Sequence, residues 1–80
     1  MNDLNENIEK LHTTELGVVR IKKNLSLDVE NVAEWCKETI KQADTTIKRG
    51  KNWYAYSKGV VITINARSNT IITAHKIKMG

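Results

Sequence analysis

Eighty residues with a formal net charge of +4 and one cysteine make a single domain, 1–80, whose thin core leaves no room for a pocket enclosed between two lobes. Cys36 has no partner for an internal disulfide, and with His12 and His75 it offers no metal-ligand spacing, so neither a metal nor another cofactor is expected. The start is polar and acidic rather than that of a secretory signal, and the longest mostly apolar run, Val60–Ile64, is broken by Thr63 and far too short to span a membrane; the expected location is the cytoplasm.

In chain order, Leu4, Ile8 and Leu11 fall at i, i+4, i+7 and predict a short amphipathic helix over 3–11. Thr13 or Thr14 can cap a second helix over 14–23, with Val18, Ile21 and Leu25 on one side and Gly17 as a weak point. A third helix over 28–42 is predicted with Asp28 as N-cap and Val29, Val32, Ala33, Cys36 and Ile40 as its apolar stripe. Cys36 lies in the middle of that stripe and reads as a small core hydrophobe rather than a reactive thiol.

From Thr45 the period changes from about 3.6 to 2, and β-branched and aromatic residues take over. Four strands are predicted, Thr45–Lys48, Asn52–Ser57, Val60–Arg67 and Ile71–Lys78, joined by turns at Arg49–Lys51, Lys58–Gly59 and Ser68–Thr70. Connections this short demand antiparallel neighbours. The expected architecture is therefore α+β: two or three N-terminal helices packed on one face of a four-stranded antiparallel meander. Val32, Cys36, Ile40, Ile62, Ile64 and Ile72 are its expected core.

Charge divides at the same point. Residues 1–44 carry nine acidic against six basic residues, net −3, while residues 45–80 carry seven bases and no acid, net +7. Clustered positive charge draws a polyanion through counterion release, which makes RNA or another nucleic acid the first expected partner. Lys48, Arg49, Lys51, Lys76 and Lys78 would supply the charge, and Tyr54 and Tyr56 could stack bases if their face of the sheet is open. Lysines that merely solubilise a sheet are the plainer explanation.

With a three-residue turn at Ser68–Thr70, Val60, Ile62, Ile64, Ile72 and Ala74 share the apolar face. Thr63, Asn65, Arg67, Ile71, Thr73 and His75 share the other. On that face His75 could exchange a proton near neutral pH, Arg67 could hold a phosphate, and Thr73 could orient an oxygen. Thr, Arg and His are also ordinary solvent-face residues of a half-buried sheet, and His12, at a helix end, is a natural cationic cap.

The stretches Leu11–Gly17, Arg20–Leu25, Val32–Lys37, Gly50–Tyr54, Ile62–Ala66 and Thr70–Lys76 resemble a family of short bacterial proteins of unknown function. More distantly, a histidine before a helix, an arginine-bearing helix, a further helix and a meander ending in Ile71-Ile72-Thr73-Ala74 resemble the barnase/RelE-like ribonuclease and toxin superfamily. That resemblance implies an active site on the sheet face, with Thr73 matching the threonine often found in the last strand and His12, Arg20, Arg67 and His75 as candidates by position. Some members use an acidic general base; residues 45–80 have none, so either histidine does the acid–base work or the fold persists without catalysis.

The residues support three functional readings. The first is metal-independent cleavage of RNA, the second a non-catalytic module binding nucleic acid through the basic sheet, and the third a homodimer in which acidic helices meet basic sheet.

Overall fold

A computed structural model describes residues 4–77. A 3-10 helix, Leu4–Lys10, leads into a two-residue strand β1 (His12–Thr13), helix α1 (Glu15–Leu25) and helix α2 (Val32–Lys41). Strands β2 (Thr45–Arg49), β3 (Asn52–Ser57), β4 (Val60–Asn65) and β5 (Thr70–Lys76) complete it. The sheet has five strands in the order β1-β5-β4-β3-β2. The pairs from β2 to β5 are antiparallel, as expected for a meander, but β1 adds a parallel edge beside β5.

That edge strand corrects two expectations. The sheet is mixed rather than a four-stranded antiparallel one, and His12 sits in β1, opposite Thr70, rather than at a helix end. Two residues are too few to leave a period in the sequence; the backbone bond from His12 N to Asn69 O at 3.0 Å helps tie the segment down. The first predicted helix is wound as a 3-10 helix, and Asp3 lies outside the described residues. In that winding side chains three apart share a face, and Ile8 and Leu11 are both buried.

Thr14 caps α1, its Oγ1 accepting from Gly17 N at 3.0 Å, and the helix runs to Leu25 before Ser26 turns it off at φ 52°. Gly17 is set by packing: a Cβ there would lie 3.3 Å from the Ile71 carbonyl oxygen and 3.1 Å from the capping hydroxyl. α2 begins at Val32 and not at 28, because Asn31 rather than Asp28 is the cap. Asn31 Oδ1 accepts from Glu34 N at 3.0 Å, and Asn-x-x-Glu has the spacing of a capping box.

The helices bury Ile21, Leu25, Val32, Cys36 and Ile40 against Ala55, Ile62, Ile64, Ile71 and Ala74 of the sheet. Five of the six expected core residues belong there; Ile72 does not. β4 stops at Asn65, whose side-chain oxygen accepts from Arg67 N and Ser68 N at 2.9 and 3.0 Å and pulls the chain into a turn over residues 66–69. With Thr63 opposite Thr73 and Ile64 opposite Ile71, β5 carries one extra residue, a β-bulge at Ile72. The bulge places Ile71, fully buried, on the core face and leaves Ile72 half-buried.

Cys36 is wholly inaccessible, and burial pushes its thiol up from 9.0 to about 12. A neutral thiol is favoured in the fold, so its contribution is complete below about pH 9, the unfolded value, and is lost as pH climbs towards 12. Native protein at pH 7.5 should therefore react with a thiol reagent at least about 10³-fold more slowly than urea-unfolded chain. Equal rates would place Cys36 at the surface.

Candidate nucleic-acid interface

The helices cover one face of the sheet, and the ladder registers decide what the other face carries. Reading across from Ile47, the row Ile47–Tyr54–Thr63–Thr73 is continuous, and beside it runs Thr45–Tyr56–Val61–His75. A third row, Arg49–Asn52–Asn65–Thr70–His12, closes the end of the sheet. None of these residues is acidic, and every Asp and Glu of the chain precedes β2.

The core cluster lies on the opposite face, yet Val61 and Thr63 are only 6 % and 9 % exposed. Tyr54 and Tyr56 flank them on β3, directly opposite across the ladder, and Thr73 and His75 flank them on β5. The tyrosines are themselves half-buried and, with Ile47 and Arg49, line an open depression of about 280 Å³. Two aromatic rings two residues apart, one cation and the aliphatic Ile47 can stack planar groups and hold an anion between them.

The predicted residues sort unevenly around this depression. Arg49, Tyr54 and Tyr56 line it, and His75 stands in the adjoining row, exposed. Lys51 lies exposed in the β2–β3 turn, two residues beyond Arg49. Lys48 and Lys76 point to the helix-bearing side, opposite Trp53 and Val60, so the seven bases do not make one surface. Lys78 lies outside the described residues.

The proposed group of His75, Thr73 and Arg67 is split. Arg67 is in the turn beyond Asn65, not on a strand facing His75, and His75 pairs with Val61 at the opposite end of β4. Four residue steps along β4, from Val61 to Asn65, separate the two ends, about 13 Å at roughly 3.3 Å per residue. The two side chains therefore do not face each other across the ladder. Thr73 is also engaged from α1: Asn24 Nδ2 donates to Ala74 O at 3.2 Å and lies 3.4 Å from Thr73 Oγ1.

His12 has closer company. Its Nε2 is 3.0 Å from Thr70 Oγ1, which is 2.7 Å from Ser68 Oγ, so a hydrogen-bonded chain links β1 to the turn that bears Arg67. Arg20 is exposed on α1, three residues after Gly17 and four before Asn24, on the flank that lies along β5. Ile47, Thr70 and Ser68 escaped the sequence reading. The alternation of β2 signals Ile47, since Thr45, Ile47 and Arg49 must share a face; nothing local signals the contact of Thr70 with a residue 58 positions away.

A larger hollow of about 370 Å³ lies elsewhere, between the end of α2 and the β3–β4 turn, lined by Trp35, Glu38, Thr39, Gln42, Ser57, Lys58 and Val60. Several of its polar groups are used internally: Thr39 Oγ1 donates to Trp35 O at 2.8 Å, Ser57 Oγ to Gln42 O at 3.4 Å, and Glu38 meets Lys41 at 3.4 Å. Among the described residues no three His, Cys, Asp or Glu side chains converge, and no helix is long and apolar enough to cross a membrane.

A small α+β domain with helices on one side of the sheet and an aromatic, acid-free face on the other is thus the class defined by fold and surface. The chain belongs to the family described as "protein of unknown function (DUF3781)", which matches residues 5–75. No curated protein and no solved structure matches it.

Proposed function

We propose that the uncovered sheet face binds single-stranded nucleic acid, RNA foremost, in the cytoplasm. The observation that supports this reading is the pair Tyr54 and Tyr56, side by side over a face that carries Arg49 and no carboxylate. Stacking on aromatic rings tolerates any base, and Arg49, Lys51 and Arg67 at the same end of the sheet supply charge for the backbone. Anisotropy titrations of a labelled single-stranded RNA should show affinity falling roughly 20-fold between 50 and 200 mM salt, as about three neutralised phosphates require. Binding indifferent to salt, or none at 50 mM, removes the reading.

RNA cleavage is the second reading, and the hydrogen-bonded chain through His12 favours placing it at the β1–β5 end rather than at His75. There His12 would take the 2′-hydroxyl proton, the oxygen would attack the adjacent phosphorus, and the departing 5′-oxygen would leave with a proton from an acid or water. Arg67 in the neighbouring turn, with Arg20 as the alternative, would hold the charge. Cleavage in EDTA to a 2′,3′-cyclic phosphate should drop about 10²–10⁴-fold in His12→Ala and stay near wild type in His75→Ala. The reverse pattern returns catalysis to His75 and Thr73; no cleavage by clean wild-type protein leaves the binding module alone. The ribonuclease-toxin resemblance bears on this second reading only.

A further inference from the structure

The two edges of the sheet are finished differently. At β5, β1 pairs with Thr70 and Ile71, Asn24 Nδ2 takes the Ala74 carbonyl, and α1 comes so close at Gly17 that a Cβ would press on the Ile71 oxygen. At β2 no described strand pairs on the outer side, and four of its five residues are exposed. An edge left in that state either carries a device against pairing or awaits a partner.

Which backbone groups are free is decided by the turn. Gly50 and Lys51 form a two-residue hairpin loop with Gly50 at φ 59°, so its closing pair, Arg49 and Asn52, must exchange both hydrogen bonds. Alternation then turns Ile47 and Thr45 towards β3 and leaves the N–H and C=O of Thr46 and Lys48 pointing outward.

We propose that β2 pairs antiparallel with β2 of a second copy of this chain, about a two-fold axis passing beside Ile47. In that register Thr46 lies opposite the partner's Lys48 and Lys48 opposite the partner's Thr46, so every free N–H and C=O of the two residues finds a mate. Ile47, a large apolar side chain left 39 % exposed, meets the partner's Ile47. Lys48 faces a threonine; the partner's Asp44 lies on one diagonal and the partner's Lys48 on the other, so no like charges stand directly opposite.

Neighbouring registers are poorer. An axis at Lys48 sets the partner's Lys48 directly against it. An axis at Thr46 pairs Lys48 with the partner's Asp44, yet the Asp44 N–H already donates to Tyr56 O at 2.8 Å and is not free for the seam. The Ile47 axis also joins the two depressions lined by Ile47, Arg49, Tyr54 and Tyr56 on one continuous face. The pairing is independent of the nucleic-acid reading, since its test contains no RNA.

A five-residue seam is small beside a standard interface, so sedimentation equilibrium is run up to about 1 mM chain. The apparent mass should climb towards twice that of the chain. Thr46→Pro should remain monomeric with the wild-type circular dichroism spectrum, because the lost N–H faces solvent in the monomer and is needed only at the seam. Ile47→Cys keeps the test decisive should the proline disturb folding: facing residues of a wide antiparallel pair have Cα atoms about 4.5 Å apart, within disulfide reach, and Cys36 is too buried to compete. Mild oxidation should cross-link Ile47→Cys at least about 10-fold more than Lys51→Cys. A monomeric wild type at about 1 mM, a well-folded Thr46→Pro that dimerises like wild type, or equal cross-linking at 47 and 51 would each overturn the proposal.

Discussion

Ile71→Ala should cost about 2–5 kcal/mol of stability, whereas Ile72→Ala should cost less than about 1.5 kcal/mol. Ile71 has no exposed surface and lies in the cluster with Ile21, Ile62 and Ile64, so truncation removes its transfer energy and leaves a cavity that the sheet cannot collapse around. Ile72 sits in the bulge, unpaired and only half-buried, outside the core cluster. A domain of this size has a total stability near the low end of about 5–15 kcal/mol, so Ile71→Ala should lower the melting temperature by roughly 10–30 °C or abolish folding at 37 °C. Equal losses for the two variants, or a larger loss for Ile72→Ala, would show that β5 lacks the bulge and runs in the uninterrupted register.

Those adjacent isoleucines also mark where the sequence stops being informative. The change of period at Thr45 is strong because the residues after it must fill a pleated, half-buried surface, and it places β2, β3 and β4 within two residues. The α2 stripe through Val32, Cys36 and Ile40 is equally plain, since three consecutive turns must bury the same side. The bulge is different in kind. Ile71 and Ile72 are chemically identical, and which one faces the core depends on the length of the preceding turn, set by two hydrogen bonds to Asn65 Oδ1. A one-residue change in that turn exchanges the two faces at the start of β5. The sequence reading therefore set Ile71 on the open face, where the structure has it in the core, and Ile72 in the core, where the structure leaves it unpaired and half-buried. The bulge then restores the phase, so Thr73 and His75 share a face with Thr63 as anticipated, and the registers put Tyr54 and Tyr56 on that face too. The charge count was legible too, but the direction of each base depends on pairing, and Lys48 and Lys76 turn out to stand behind the sheet.

Replacing both Tyr54 and Tyr56 by alanine should reduce affinity for single-stranded RNA at least about 30-fold, since stacking on an aromatic ring contributes roughly 1–3 kcal/mol per base. The loss should come with nearly the wild-type salt slope, because the rings carry no charge and Arg49, Lys51 and Arg67 remain. Arg49→Ala should do the opposite, with a smaller loss of affinity and a flatter slope. Both tyrosines flank Val61 and Thr63, so folding is verified first by thermal unfolding. Tyr54→Phe with Tyr56→Phe serves as the control that keeps the rings and should bind within about 3-fold of wild type. If the double alanine variant folds and binds as tightly as wild type, stacking on this face plays no part.

The most direct test of the central claim is a map of the binding surface by backbone amide chemical shifts during titration with a short single-stranded RNA. The account predicts that the shifts gather on Ile47, Arg49, Asn52, Tyr54, Tyr56 and His75 while the amides of α2 stay still. Shifts concentrated on α2 or around the Trp35–Ser57 hollow, or none at saturating RNA in low salt, would contradict it.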